Sequence, residues 1–253
     1  MIVLPIKTGL IEINSDLINI LVNTINDNGI KIETNDIIAI SAKVLSICRG
    51  YLIYYYDIRP SKEAIKLSNE TGLDPRFVEA VIKEADKIIS HDYNGIITIK
   101  DDILVINAGL DRKNVPVGYA CRWPDYPDDE AMWIKREVDE RFGVDSGIII
   151  VDSKVMPMRR GTVGFALGSA GLNQSIDLRG RYDLYGKELL VTWMNVVDDL
   201  ASTAHLLMRE TTEMIPFVII KDAPEDVYRR SLKSGAVKII LDECIYMRNL
   251  LKR

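Results

Sequence analysis

The order of apolar and polar positions along the chain switches between a strand-like and a helix-like period. Met1–Ile6 is an apolar run of strand length, ended by the turn Lys7–Thr8–Gly9. Asn14 or Ser15 then stands as an N-cap before a helical stripe of Leu17, Ile18, Ile20, Leu21 and Ile25. Asp36–Ala42 is an Ile-rich run of β character, and Tyr51–Asp57, with four tyrosines, also favours strand. Pro60 and Ser61 open a helix carrying Ala64, Ile65 and Leu67, which Gly72 ends. Asp74–Pro75 opens the next, a cap followed by proline at the first helical position, with Phe77, Val81, Ile82, Ala85 and Ile88–Ile89 as its buried stripe.

Ile96–Ile99 and Ile103–Asn107 flank Lys100–Asp101–Asp102 as the arms of a hairpin. Residues 108–128, punctuated by Gly, Pro and Asp, read as loop. Asp128–Phe142 is helical, Gly147–Val151 is a buried strand and Val163–Gly168 a further strand. From Glu188 to Glu210 runs the longest helical pattern, with Met194, Val197, Ala201, Ala204 and Met208 in phase. Pro216–Ile220 reads as a strand, and the tail from Pro224 as helix, strand and a final basic helix. Strands and helices mix without regular alternation, which predicts an α+β fold rather than a doubly wound sheet. With no repeat or low-complexity linker, residues 1–253 read as one domain whose division into lobes is left to tertiary packing.

Composition narrows the function classes. Hydrophobic residues make up 47% and charged residues 27%, enough for a full core in a soluble chain. Lys+Arg 32 against Asp+Glu 37 gives a net charge of −5, with no basic run, which excludes a nucleic-acid footprint. No stretch reaches the roughly 18 apolar residues of a membrane span. The first apolar run stops at Lys7, which predicts no secretory leader. Cys48, Cys121 and Cys244 are odd in number and far apart, which fits a reducing cytoplasm and a packing role.

Two phosphate-loop patterns fail on inspection. Gly180 to Glu188 has five residues between its glycines where a Walker A loop has four, and it ends in Glu instead of Ser or Thr. Gly164, Gly168 and Gly171 miss the dinucleotide spacing. His91 and His205 have no cysteine at ligand spacing, and His205 falls with Asp198, Ser202 and Arg209 on a polar stripe that predicts a solvated or subunit-facing surface. Acids at strand ends are more informative. Asp111 follows Ile103–Asn107 across Ala108–Gly109, and Asp152 ends Ile148–Val151 with Ser153 beside it. Carboxylate and hydroxyl at a rigid strand end suit Mg²⁺ or Mn²⁺ shared with nucleotide phosphates; an aspartate there equally suits a turn or a helix cap.

Asn107–Ala108–Gly109–Leu110–Asp111, with Asn114–Val115 following, resembles the Asn-Ala-Gly-(Val/Ile)-Asp-x-Ser-Asn motif of the coenzyme F-420 γ-glutamyl ligase family. Val163–Gly164, Ala166, Gly168, Ala170–Gly171–Leu172, Asp177, Arg179–Gly180, Asp183, Gly186 and Leu189 resemble its central block in order. Lys43, Ser46, Arg59–Pro60–Ser61 and residues 71–76 agree upstream; Val191–Thr192, Asp198, Leu200–Ala201, Leu207–Met208 and Pro216 agree downstream. The likeness runs from about Leu4 to about Ile220.

This resemblance implies a two-lobed, mixed-sheet α+β subunit in an intertwined homodimer. It implies addition of L-glutamate through a γ-linked amide to a deazaflavin coenzyme precursor, with GTP as co-substrate and an acyl phosphate between. It implies two Mg²⁺ or Mn²⁺ ions and leaves room for a monovalent cation such as K⁺. By position, Asp111 and Asp152 correspond to first-metal carboxylates, and Ser153 and Glu210 to second-metal ligands. Arg159 corresponds to an arginine beside the metal strand, which places Asp111, Asp152 and Arg159 at the chemistry. Leu10, Ile11, Glu12, Ile13, Lys43, Asn114, Met208, Arg209 and Thr211 correspond to the nucleotide site.

Departures from the family pattern cluster near those positions. Lys154–Val155–Met156–Pro157–Met158 stands where the family has Gly-Arg-Pro-Trp ahead of the arginine, Arg209 replaces a glycine, Glu210 a glutamine, Ile47 a lysine, Arg49 an acid and Lys113 a serine. They leave two further readings open: a divergent member with another acceptor or nucleotide, and a non-catalytic ligand-binding protein.

Overall fold

A computed structural model describes residues 1–228 and 234–250. In chain order its elements are β1 (Ile2–Ile6), α1 (Leu17–Asp27), β2 (Ile37–Ser41), α2 (Ala42–Arg49), β3 (Leu52–Tyr54), α3 (Lys62–Thr71), α4 (Pro75–Glu84), β4 (Lys87–Asp92), β5 (Gly95–Lys100), β6 (Ile103–Ile106), β7 (Tyr119–Cys121), α5 (Pro127–Phe142), β8 (Gly147–Val155), β9 (Thr162–Ala170), β10 (Ser175–Asp177), β11 (Trp193–Asn195), α6 (Val196–Met208), β12 (Phe217–Lys221), β13 (Ser234–Gly235) and α7 (Met247–Leu250). Mixed α and β content, segregated into several sheets, agrees with the α+β expectation. The chain forms two compact units, one from Met1–Gly50 and Pro124–Val237, the other from Tyr51–Trp123 and Lys238–Arg253.

The first unit is built on a five-stranded sheet in the order β1-β12-β2-β8-β9, with β2 and β8 parallel and the other pairs antiparallel. Ile37–Ile40 of β2 and Gly147–Val151 of β8 are apolar and buried at every position because both sheet faces are covered. Ile37, Ala39, Ile149, Val151 and Ala166 pack beneath α6 through Val197, Leu200, Ala201 and Ala204, and α5 packs on β8 and β9. A small sheet, β11-β10-β13, completes the unit. The Walker-like segment is a turn: Tyr182 bridges Glu188, and Asp183 Oδ1 accepts the N–H groups of Tyr185 and Lys187. The second unit carries the hairpin sheet β4-β5-β6 and the pair β3-β7 around Phe77, Val78, Val81, Leu73 and Ile96.

Several boundaries differ from the periodicity, each for a visible reason. Asp16, not Asn14 or Ser15, caps α1: its carboxylate accepts the Asn19 N–H at 3.0 Å, while Asn14 is left-handed and its N–H donates to Ile47 O. The tyrosine run leaves extended geometry after Tyr54 and makes a 3₁₀ turn, which buries Tyr55 edge-on against Phe77. α4 stops at Glu84 because Asp86 is drawn into pairing; its N–H donates to Ile99 O and its carboxylate accepts the Asp101 N–H, so Ile88 and Ile89 belong to β4. The helix expected from Glu188 starts at Val196, where Asn195 Oδ1 accepts the Asp198 N–H; Trp193–Asn195 is strand. Residues 108–128 contain β7 and the start of α5 as well as loop. The tail helix expected after Pro224 reduces to a 3₁₀ turn at Glu225–Val227. Part of that tail, with the end of the basic helix, lies outside the described residues. Cys48 and Cys121 are core residues, as their packing role predicts, and burial pushes the Cys48 thiol up to about 11.

Candidate functional site

The sheet direction gathers one set of chemistry-bearing residues. β1, β2 and β8 all point the same way, so Ile6, Ile40–Ser41 and Val151 mark one common end of the five-stranded sheet. In open α/β sheets, ligands bind in the crevice beyond the carboxyl ends of strands. At this end the chain leaves β1 into residues 10–13, leaves β2 into α2 with Lys43 in its first turn, and continues β8 through Asp152 and Ser153. Residues 209–216 enter β12 at the same end. The loops are tied there by Thr8 N–H donating to Met214 O at 2.9 Å and Ser41 N–H to Pro216 O at 2.8 Å. α2 starts with no side-chain cap from Ser41, which turns its first N–H groups and the positive end of its dipole toward that end. Leu10, Ile11, Glu12, Ile13, Lys43, Asp152, Ser153, Arg209, Glu210 and Thr211 therefore share one end of one sheet.

Neighbouring residues of β8 face opposite ways. Val151 packs under α6. Asp152 faces the other side, across from Phe165, with the Lys154 ammonium 4.7 Å from that ring; its Oδ1 accepts the Ser153 N–H at 2.8 Å. Ser153 returns to the α6 side, across from Gly164. A Cβ at Gly164 would lie 2.5 Å from His205 Cβ and 2.6 Å from the Ala201 carbonyl oxygen, so only glycine lets α6 rest this closely on the strand.

Beyond α6, Glu210 turns back over the same face. Its Oε1 accepts the Thr162 hydroxyl at 2.7 Å and meets His205 Nε2 at 2.9 Å. His205 is thus not on a solvated stripe: its side chain is only 15% exposed. The chain makes this turn at Arg209 with φ 61° and ψ −168°, a combination essentially confined to glycine. Thr211 donates both its N–H and its hydroxyl to Glu213, which holds that carboxyl below its usual range.

In the second unit, Asn107, Ala108 and Gly109 are three consecutive left-handed residues, with φ 54°, 54° and 73°. Asn tolerates this region. Its Oδ1 accepts the Ile96 N–H at 3.0 Å, and the Ala108 N–H donates to Thr98 Oγ1 at 2.9 Å. At Gly109 a Cβ would stand 2.4 Å from the Trp123 ring. The turn delivers Asp111 into a two-way bridge with Cys121, at 3.0 and 2.8 Å, and Asp111 Oδ1 accepts the Lys113 N–H. Asn114 follows, also left-handed. Asp111 borders a cleft of about 410 Å³ lined by Tyr55, Phe77, Arg112 and Tyr119, with the Arg112 guanidinium 4.2 Å over the Phe77 ring. Aromatic walls and a cation suit a planar, anionic ligand.

Two expected residues, Arg159 and Met208, lie elsewhere or offer less than expected. Arg159 sits on the exposed tip of the β8–β9 hairpin, beyond the Val155–Thr162 pair, which is three rungs or about 10 Å from Asp152. The Met208 side chain is buried in the core, and Ile47 is buried too. Among the described residues no three His, Cys, Asp or Glu side chains gather as a metal cluster. The donors at the sheet end are nonetheless hard oxygens, and a divalent ion there would complete its shell from hydroxyls, water and phosphate. Sequence reasoning missed Thr162 and the pairing of His205 with Glu210. That contact spans five residues and depends on where α6 ends.

The family model described as F420-0:Gamma-glutamyl ligase matches residues 5–222. Similar chains include three proteins named coenzyme F420:L-glutamate ligase. That of Methanopyrus kandleri is 39% identical over 79% of this chain and 79% of its own. That of Methanothermobacter thermautotrophicus is 35% identical over 92% and 91%, and that of Methanocaldococcus jannaschii 40% identical over 76% and 77%. No helix among the described residues is long and apolar enough to cross a membrane.

Proposed function

Because the chain belongs to the F420-0:gamma-glutamyl ligase family of enzymes, we propose that it ligates L-glutamate to a deazaflavin coenzyme F-420 precursor through a γ-linked amide at the expense of GTP. In the first step a carboxylate oxygen of the precursor attacks the γ-phosphorus, the bond to the β-bridging oxygen breaks, and GDP leaves. In the second the glutamate amine attacks the acyl-phosphate carbonyl, inorganic phosphate leaves, and the nitrogen gives up its proton. The family match over residues 5–222 carries this reading.

In the first unit Asp152, Ser153 and Glu210 are the residues that would hold Mg²⁺ or Mn²⁺; in the second, Asp111 is a further carboxylate suited to such an ion, and K⁺ is the monovalent candidate. A divalent ion bound there neutralises charge that develops on the phosphates during transfer. Lys43 and the uncapped start of α2 suit the phosphates themselves. In the first unit Thr211 and the backbone of residues 10–13 and 208–209 suit the nucleotide, and Arg159 at the hairpin tip suits the anionic acceptor; Asn114 is the nucleotide candidate of the second unit. A homodimer in the cytoplasm belongs to the same proposal. It is supported by the exposed apolar side chains of Tyr182, Leu184, Tyr185 and Val191, and by three cysteines that form no disulfide.

One observation favours a different acceptor as the second reading: Val155, Met156 and Met158 make the hairpin tip apolar and exposed. Incubation with GTP, Mn²⁺, L-glutamate and the deazaflavin precursor, followed by mass spectrometry, tests both. A product heavier by one glutamyl unit, with one GDP and one phosphate released per turnover, is the expected result. GTP binding by calorimetry without that product points to another acceptor; no nucleotide binding removes both ligase readings.

A further inference from the structure

We propose that His205 supplies a ring-nitrogen ligand beside the Glu210 carboxylate, so that this corner of the sheet is a mixed nitrogen–oxygen site that takes Mn²⁺ ahead of Mg²⁺. It rests on the reading above that Glu210 holds a divalent ion. Two donors on neighbouring positions of one octahedral ion, each about 2.1 Å from it, stand about 3 Å apart. His205 Nε2 and Glu210 Oε1 are 2.9 Å apart, and the Thr162 hydroxyl is 2.7 Å from the same oxygen. Ser153 lies on the same face, opposite the Gly164 backbone against which His205 Cβ is seated. The base of the His205 side chain is therefore set by the helix–strand contact, and its ring is held by the Glu210 oxygen. The glycine-like backbone of Arg209 folds Glu210 back onto it, a strained geometry of the kind that persists at functional sites. Imidazole nitrogen suits first-row transition ions, whereas Mg²⁺ holds to oxygen and water. Binding in this way places the ring proton on Nδ1 and the Nε2 lone pair on the ion.

Pulsed electron paramagnetic resonance of Mn²⁺ on the full chain, with and without a non-hydrolysable GTP analogue, reads nitrogen coordination directly. The wild type is expected to show a directly bound ¹⁴N coupling that His205→Gln lacks. Calorimetry should show Mn²⁺ affinity falling about tenfold or more in that variant, with Mg²⁺ affinity changed less than about threefold. Circular dichroism checks that the variant is folded, and Gln keeps an amide able to hydrogen-bond Glu210. Bound Mn²⁺ without nitrogen coupling, or a coupling that survives in His205→Gln, overturns the proposal while leaving the ligase reading intact. A wild type that binds no Mn²⁺ under either condition overturns both.

Discussion

Arg209→Gly should make the protein more stable although it deletes a large side chain. Arg209 holds φ 61° and ψ −168° at the end of α6, with its N–H donated to His205 O at 2.9 Å. For a residue with a Cβ this region costs about 1–3 kcal/mol. Glycine escapes that cost and gives back about 0.5–1 kcal/mol through its freer unfolded chain. At mid-range the net is a gain of about 1.3 kcal/mol. With an unfolding entropy of about 2.1 cal/mol/K per residue over 253 residues, that is a rise in Tm of about 2 °C. Differential scanning calorimetry in EDTA reads it without a contribution from bound metal. Arg209→Ala is the control: it removes the same guanidinium but keeps the Cβ, so no gain is expected. Arg209→Gly melting at or below the wild type, or Arg209→Ala gaining as much, would refute the strain argument.

Three further outcomes are expected. Gly109→Ala, which adds a Cβ 2.4 Å from Trp123 at a left-handed position, should cost about 2–4 kcal/mol and shift the emission of that 2%-exposed indole; Gly143→Ala, left-handed but with open space around it, should cost only about 1 kcal/mol. Glu79 accepts the Ser61 N–H at 2.9 Å at the start of α3, and bonding to Ser61 holds its carboxyl below the usual value of 4.5. Its contribution is complete above about pH 4.5 and is lost as pH falls through the lower folded value, so urea midpoints between pH 3 and 7 should vary less in Glu79→Gln than in the wild type. Asp152→Ala should keep the wild-type circular dichroism yet lose metal-dependent nucleotide binding by calorimetry; unchanged binding would show that the carboxylate has no part in holding a metal.

The sequence was most legible where one physical cause acts locally. Ser61 and Gly72 bound α3, and Asp74–Pro75 opens α4, because caps depend on a few adjacent residues. The apolar runs Ile37–Ile40 and Gly147–Val151 showed β2 and the first half of β8, since both sheet faces are buried there. Failures came where a distant partner decides. The tyrosine run turns at Tyr55 to reach Phe77, and Asp86 leaves helical geometry to pair with residues of the β5–β6 hairpin. Of the site, the place of Asp111 just beyond β6 was readable, whereas Asp152, expected to end its strand, lies inside β8, which pairs with β9 as far as Val155. The three left-handed residues behind Asp111 were not readable, because Ala108 gives no sign of positive φ. The place of His205 was hidden for a related reason: helical phase puts it on a polar stripe, but Gly164 brings the β9 backbone up against that stripe.

The strain at Arg209 also bears on what replaces a missing cation. Where the family pattern has a nucleotide-facing lysine, this chain has Ile47, buried in α2. Lys154, the other basic residue near Asp152, is committed over the Phe165 ring. Arg209 is exposed, at the same sheet end as residues 10–13, and directly precedes Glu210. On the proposed reading, a guanidinium there would give the phosphates a charge-assisted partner that glycine cannot provide. If that is why a strained arginine is kept, Arg209→Gly trades function for stability: the variant that melts higher should bind GTP about fivefold more weakly, about 1 kcal/mol, with Mn²⁺ affinity in the absence of nucleotide unchanged. Calorimetry at two salt concentrations checks the charge origin, since the loss should shrink as ionic strength rises. Equal GTP affinity in Arg209→Gly and wild type would mean that the strain serves only to place Glu210 against His205.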